Sequence, residues 1–472
     1  MKNKLVEMIQ KKEMEYRLQG KKDRNRMEYH LMPPVGWLND PNGLCQFQGE
    51  YHVFFQYAPF YPENGTKAWG HYVSKDLINW EYRGVPILPD TAWDKDGAYS
   101  GCAFVEDGKM EIFYTGNTKE KGDYDYILEG RGANTLSLCS KDGKNFSPKE
   151  CLMTNADYPS DYTCHVRDPK VWKEGDTYYM VQGGRKIGDF GAVIVFSSKD
   201  KKDWNVAGEI TTKEAFGYMW ECPDYFVLDG TKVLGCCPQG LQHEEYRYQN
   251  AHQSGYFELE GNLTGECTLG EFKEWDMGFD FYAPQTFEAE DGRRIMIGWV
   301  GLPDAEYGNK EIEDGWIHCM TLPRELHYEN GRVYAYPVEE IKKLRKEQVN
   351  LCDVKEELLS YEWELKFDVE KSGKKEVAFS LAEGVTLQYK EAEEELQLCM
   401  SVQAGDGRKL RKLKLSKLTS LHIFVDHSVV EIYVNHGEYV FTSRFYSDKI
   451  IPMQMKAEGV KVTSNLWKLR EK

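Results

Sequence analysis

Gly36-Trp37-Leu38-Asn39-Asp40-Pro41-Asn42-Gly43 opens a hairpin pattern rich in aromatic residues and glycine. The pattern returns at Gly97-Ala98-Tyr99-Ser100-Gly101, His165-Val166-Arg167-Asp168-Pro169, Trp220-Glu221-Cys222-Pro223-Asp224 and Phe281-Tyr282-Ala283-Pro284-Gln285. The copies start roughly 55–70 residues apart, the length of a four-stranded sheet with its loops. Each leads into a strand, a polar turn and a second strand of β-branched or aromatic residues, as in Ala103-Phe104-Val105, Glu106-Asp107-Gly108 and Met110-Glu111-Ile112-Phe113-Tyr114. Sheets repeated in this way and arranged radially make a β-propeller. Equivalent positions in its blades converge on the axis, so Asp40, Asp168 and Glu221, each beside a turn, are expected in one pocket near one mouth.

At 472 residues the chain exceeds what one core usually supports, so two domains are expected. The strand-and-turn pattern runs from about residue 30 to 336. Pro337-Val338-Glu339-Glu340-Ile341-Lys342-Lys343-Leu344-Arg345 then reads as a short helix or linker. Beyond it, Trp363-Glu364-Leu365-Lys366-Phe367, Leu421 to Asp426, Val429 to Val434 and Tyr439 to Thr442 alternate as strands of a two-sheet sandwich. The expected fold is all-β, a five-bladed β-propeller with a C-terminal β-sandwich. Its parts are an N-terminal extension over 1–27 with a surface helix near 3–19, the propeller over 28–336, a linker over 337–350 and the sandwich over 351–472.

A net charge of −17 repels nucleic acid and anionic lipid. The run Lys409, Arg411, Lys412, Lys414 and Lys417 reads as solvated surface. The 12 cysteines form no Cys-x-x-Cys knuckle and suit buried thiols in a reducing compartment. The first residues alternate in charge rather than forming an apolar signal core, and no apolar stretch of about 18 residues occurs, so a cytoplasmic protein without membrane contact is expected. Neither metal nor cofactor is expected. His30, His52, His71 and His165 make no compact ligand set, Gly183-Gly184-Arg185 lacks dinucleotide spacing, and Asp426-His427 lacks a nucleophile elbow.

Three acids at one depth of a funnel suit glycosidic cleavage, in which one acid protonates the leaving group while a carboxylate attacks the anomeric carbon or activates water. Asp40, in a tight Asn-Asp-Pro-Asn-Gly turn that exposes it, suits the nucleophile. Glu221 follows Trp220 and precedes Cys222-Pro223, and apolar bulk there favours the protonated carboxyl that proton donation requires. Arg167 would keep Asp168 ionised to hold sugar hydroxyls. Trp69 and Trp299 are sugar-facing walls or blade core. The residue chemistry alone leaves open an inverting arabinan or xyloside hydrolase, told apart by a carboxyl separation of about 6.5–9.5 Å rather than about 5–5.5 Å. It also leaves open a binding propeller without catalysis.

Trp37 to Gly43, Arg167-Asp168-Pro169 and Glu221-Cys222 resemble the three signature motifs of the β-fructofuranosidase family, glycoside hydrolase family 32. The similarity extends to Gln56-Tyr57-Ala58-Pro59, Trp69-Gly70-His71, Tyr99-Ser100-Gly101 and Leu421 to Arg444, and it covers residues 28–470. The resemblance implies retaining hydrolysis of β-fructofuranosides, with Asp40 as nucleophile, Asp168 as the fructose-holding carboxylate and Glu221 as acid/base. It places Asn39, Gln56, Trp69, Ser100, Arg167 and Trp299 at substrate contacts. Ala58 departs from the family's usual Asn. Tyr29 to Pro34 and Gly315 to Leu326 look most like the intracellular bacterial members that act on phosphorylated sucrose. A small sugar or sugar phosphate is therefore the expected partner, although the three motifs do not separate it from plain sucrose or a short fructan.

Overall fold

The computed structural model describes residues 2–20, 23–62, 65–349 and 361–470. Its fold is all-β, with five small sheets and one nine-stranded sheet. Each small sheet takes its first strand from one of the repeated segments: Gly36–Phe47, Ala98–Glu106, Tyr162–Glu174, Met219–Leu228 and Tyr282–Glu288. Antiparallel neighbours follow in chain order. Asp107 and Gly108 join the first two strands of the second sheet with φ of 50° and 69°, the left-handed pair that a two-residue hairpin demands.

The five first strands touch one another in sequence, and the fifth returns to the first. Trp316–Ile317 adds a parallel strand alongside Gly36 and Trp37, tying the end of this region to its beginning. Large aromatic side chains fill the gaps between sheets. Phe54, Trp69 and Tyr114 are fully buried between the first and second, and Trp220 and Phe257 are buried between the third and fourth.

Every one of the five first strands breaks register at the same stage. The shifts fall between Leu38 and Pro41, Ala98 and Gly101, Arg167 and Lys170, Glu221 and Asp224, and Tyr282 and Gln285. The acids expected beside turns therefore stand inside strands, at β-bulges. A bulge leaves extra residues unpaired and re-aims their side chains off the pleat. At Asp168, Cys222 and Ala283 the re-aiming is drastic enough to give φ of 60°, 47° and 46°.

Outside the five sheets, two expectations need correction. The 3-10 helix Glu339–Leu344 buries Ile341 and Leu344, and Arg345–Val349 is a strand that pairs with Gln454–Leu469 rather than a linker. The expected boundary between 350 and 351 lies outside the described residues. The expected surface helix is present as Lys2–Gln19, anchored by the buried Ile9 and by Glu13, which accepts hydrogen bonds from Tyr57 at 3.1 Å and Tyr82 at 2.7 Å. Arg411 is not solvated surface. Alternation along Leu410–Lys414 turns it inward, where it bonds Asn250 and Tyr307, while Lys409, Lys414 and Lys417 stay exposed.

The nine-stranded sheet meets the others through buried charge. Arg324 donates to Asp276 at 3.0 Å and to Glu431 at 2.8 Å, and Arg408 grips both oxygens of Asp280 at 2.7 Å. Arg444 adds a 3.0 Å contact to Asp280. His30 bridges Asp426 at 2.8 Å and Glu431 at 3.0 Å. Asp426 belongs to that buried set. It ends Ser420–Asp426, is fully buried, and also accepts the backbone N–H groups of Glu28, Tyr29 and His30.

Candidate active site

Asp40, Asp168 and Glu221, from the first, third and fourth sheets, line one cavity of about 400 Å³. Asn39, Gln56, Arg167 and Trp299 line it too, together with Trp37, Lys67, Tyr99, Arg131, Tyr282 and Arg444. Ser100 and Trp69 do not. Both are fully buried, and the Trp69 indole N–H donates to the Tyr99 carbonyl at 3.0 Å. Trp69 fills the gap between two sheets, so of the two tryptophans read as walls or core only Trp299 faces the cavity. The Trp299 Nε1–H is buried and has no hydrogen-bond partner among the described residues.

Asp40 is fixed from behind. Asn39 donates 2.9 Å bonds to Asp40 Oδ1 and Gln56 Oε1, and Trp37 Nε1 orients Asn39 from 2.7 Å. Gln56 donates to the Ser100 hydroxyl, which donates to Asp40 Oδ2. Three residues expected to touch substrate thus hold the first acid's rotamer. Burial lifts the Asp40 carboxyl above its ordinary range, the Ser100 and Asn39 bonds pull it back, and the nearby Glu221 charge adds to the rise.

Asp168 differs from the expectation. Arg167 Nε lies 3.6 Å away, but burial outweighs it and the charges of Glu221 and Asp40 push the same way, so the carboxyl rises to about 7. Adjacency to a guanidinium does not ensure ionisation when that guanidinium is committed elsewhere. Arg167 gives Glu221 Oε1 two donors, Nε at 3.2 Å and Nη2. Asp168 Oδ2 accepts the backbone N–H of Cys222 at 3.1 Å, and the Cys222 thiol stands between the first two acids, 3.7 Å from Asp40 and 3.8 Å from Asp168.

Glu221 is not beside apolar bulk. The bulge sends Trp220 into the core and Glu221 into the cavity, where Gln239 and Tyr282 donate to Oε2 at 2.8 and 2.7 Å. Neither Gln239 nor Tyr282 is signalled by the sequence around Glu221. Lys67 lies 4.7 Å over the Trp37 ring, and burial pulls its ammonium down to about 7 despite the Asp40 charge. Among the described residues no group of three His, Cys, Asp or Glu side chains is arranged to hold a metal ion. Every described cysteine is unpaired, and no described helix is long and apolar enough to cross a membrane.

The family model for the glycosyl hydrolases family 32 N-terminal domain matches residues 30–337, and that for the family's C-terminal part matches 337–468. The sucrose-6-phosphate hydrolase of Bacillus subtilis is 38% identical over 90% of this chain and 89% of its own. The structure of sucrose-6-phosphate hydrolase from Lactobacillus gasseri superposes with a TM-score of 0.88 at 30% identity, covering 98% of this chain and 96% of the other. A mutant of the Bombyx mori GH32 β-fructofuranosidase in complex with sucrose superposes with a TM-score of 0.85 at 29% identity, covering 100% and 99%. With its acids gathered in one cavity and both family models matched end to end, the chain belongs to glycosyl hydrolases family 32 and is a β-fructofuranosidase.

Proposed function

We propose that this chain hydrolyses sucrose 6-phosphate to glucose 6-phosphate and fructose with retention of configuration, also accepts sucrose, and works in the cytoplasm. The five sheets are taken as the blades of a propeller over 28–336 and the C-terminal strands as a sandwich over 351–472. The convergence of Asp40, Asp168 and Glu221 in one cavity carries the reading, and the names of the relatives supply the substrate class. An Asp40 oxygen attacks C2 of the fructosyl group, the C2–O bond breaks, and Glu221 gives its proton to the departing glucose oxygen. Glu221 then takes a proton from water, whose oxygen attacks C2 and frees fructose and the Asp40 carboxylate. Asp168, whose carboxyl burial raises above its ordinary range, holds the fructose hydroxyls.

Parallel kcat/KM measurements with sucrose 6-phosphate, sucrose and a short fructan test the substrate, and NMR of the first-formed fructose anomer tests retention. Sucrose 6-phosphate should lead by at least about tenfold, the effect of one charge-assisted phosphate contact. Equal efficiency with plain sucrose would remove the phosphate preference and leave the fructosidase assignment in place.

A further inference from the structure

The wall outside Glu221 carries positive charge that fructose chemistry does not use. Arg131 begins the strand Arg131–Ser140 of the second sheet and lines the cavity. Its Nε donates to Asn117 Oδ1 at 2.9 Å, its guanidinium lies 5.6 Å from the Tyr99 ring centre, and Nη1 stands 3.2 Å from His165 Nε2. The other nitrogen of the same imidazole, Nδ1, stands 2.9 Å from Arg167 Nη1. Burial, followed by the charges of Arg167, Arg131 and Arg185, keeps His165 neutral. A neutral imidazole has one lone-pair nitrogen and one N–H, so it accepts from only one of the two guanidiniums. The two guanidiniums thus compete for one acceptor nitrogen, and the one that loses it is served by an acceptor brought in from outside.

Charge balance points the same way. Arg167 is paired with Glu221, and Arg185 with Asp189. Arg131 makes no ion pair among the described residues, and its Nη2 has no hydrogen-bond partner there. A half-buried arginine on a cavity wall, in a chain of net charge −17, is thus left without a carboxylate. The contacts Glu221 to Arg167, Arg167 to His165 and His165 to Arg131 run outward from the proposed proton donor. A proton donor must stand beside the departing glucose oxygen, so this line of contacts begins on the leaving-group side.

We propose that Arg131, with His165 beside it, binds the 6-phosphate of the glucose moiety and sets the preference for phosphorylated over plain sucrose. This rests on the substrate reading above. The planar fork of an arginine offers two parallel N–H donors to phosphate oxygens, and Arg131 Nη2 is unengaged among the described residues. Fructose binding and bond cleavage need neither contact, so the site acts on substrate choice through the leaving group.

The test compares wild type, Arg131→Gln, Arg131→Lys and Lys67→Met, with sucrose 6-phosphate and sucrose as substrates and with glucose 6-phosphate, glucose and inorganic phosphate as inhibitors. Arg131→Gln should lower the ratio of kcat/KM for sucrose 6-phosphate over sucrose by roughly ten- to a hundredfold, mainly through KM. It should also weaken inhibition by glucose 6-phosphate far more than inhibition by glucose. Arg131→Lys, which keeps the charge and loses the fork, should fall between, and it carries the comparison alone if Arg131→Gln does not fold. A wild-type preference that survives both Arg131 variants, or that is lost only in Lys67→Met, overturns this inference and spares the substrate reading. A wild type without preference overturns both. Inorganic phosphate that inhibits as strongly as glucose 6-phosphate, in an Arg131-dependent way, would make this a free-anion site and overturn the sugar-phosphate assignment.

Discussion

Two buried groups of acids lie close together in this molecule, and they are built on opposite principles. Between the small sheets and the nine-stranded sheet, Asp276, Asp280, Asp426 and Glu431 are met by Arg324, Arg408, Arg444 and His30. In the cavity, Arg167 makes ion pairs with Asp168 and Glu221 and is spent mostly on Glu221, while Ser100 and Asn39 hold Asp40. Burial pushes the carboxyls of Asp276, Asp280, Asp426, Glu431, Asp40 and Asp168 up, and the partners decide the outcome. Two arginines drag Asp280 below its ordinary range, and Arg324 with His30 takes Glu431 to about 2. Asp40 and Asp168 end above theirs. Asp276 is the exception in the interface, since burial there outweighs its single arginine. Tight ion pairs hold the two regions together, whereas the cavity acids, held mostly by neutral donors, can trade protons and attack. Arg444 belongs to both, because it lines the cavity while it holds Asp280.

The largest effect of this division should be kinetic. Asp40→Asn removes the proposed nucleophile from the group held mostly by neutral donors, so turnover should fall by roughly 10⁴-fold or more. Denaturant stability should hold or rise, because a carboxylate whose burial is uncompensated is replaced by a neutral isostere. Wild-type turnover in this variant would remove Asp40 from the chemistry. A large loss of stability would mean that the cavity acids are structural like those at the interface.

The converse substitution should be thermodynamic. Asp280→Asn leaves Arg408 and Arg444 buried without their shared counter-charge, and breaking such a pair costs about 3–5 kcal/mol. Urea unfolding followed by tryptophan fluorescence would read it. A cost below about 1 kcal/mol, the level of a surface pair, would erase the distinction between the two groups.

The contrast also explains what the sequence disclosed. Asp40, Asp168 and Glu221 were legible because each recurs at one stage of a repeated hairpin, and repetition places residues on a common axis without knowledge of any contact. Asn39, Gln56 and Ser100 were legible as site residues, but not as the chain of hydrogen bonds that orients Asp40, since that depends on a bulge no local pattern announces. Trp69 misled for the same reason, because which face of a bulged sheet an aromatic takes is settled by packing. The interface was invisible. His30 reaches Asp426 across 396 positions, and Arg408 reaches Asp280 across 128. Arg411 was hidden in a run of lysines, although the period-2 alternation of Leu410–Lys414 was a usable signal that it points inward.

The smallest effect, and the one that probes the interface most finely, concerns pH. Burial opposes charge on His30, but the bonds and charges of Asp426 and Glu431 overcome it and lift the imidazole from 6.5 to about 9. A group whose folded pKa is raised stabilises fully below its unfolded value and loses that contribution as pH climbs through the folded one. The window is therefore about pH 6.5 to 9, and the contribution at stake is at most about 3 kcal/mol. Other groups titrate in the same window: Glu362 also holds His427 up to about 9, and burial depresses Lys67 to about 7. His427 and Lys67 are unchanged in His30→Gln, so their contributions cancel when its stability is subtracted from that of wild type. The gap between the two proteins should be widest below pH 6.5 and close as pH passes 9. A gap that stays constant from pH 6 to 10 would mean that His30 is neutral in the fold, leaving Asp426 and Glu431 with one fewer positive charge and narrowing the difference between the interface and the cavity.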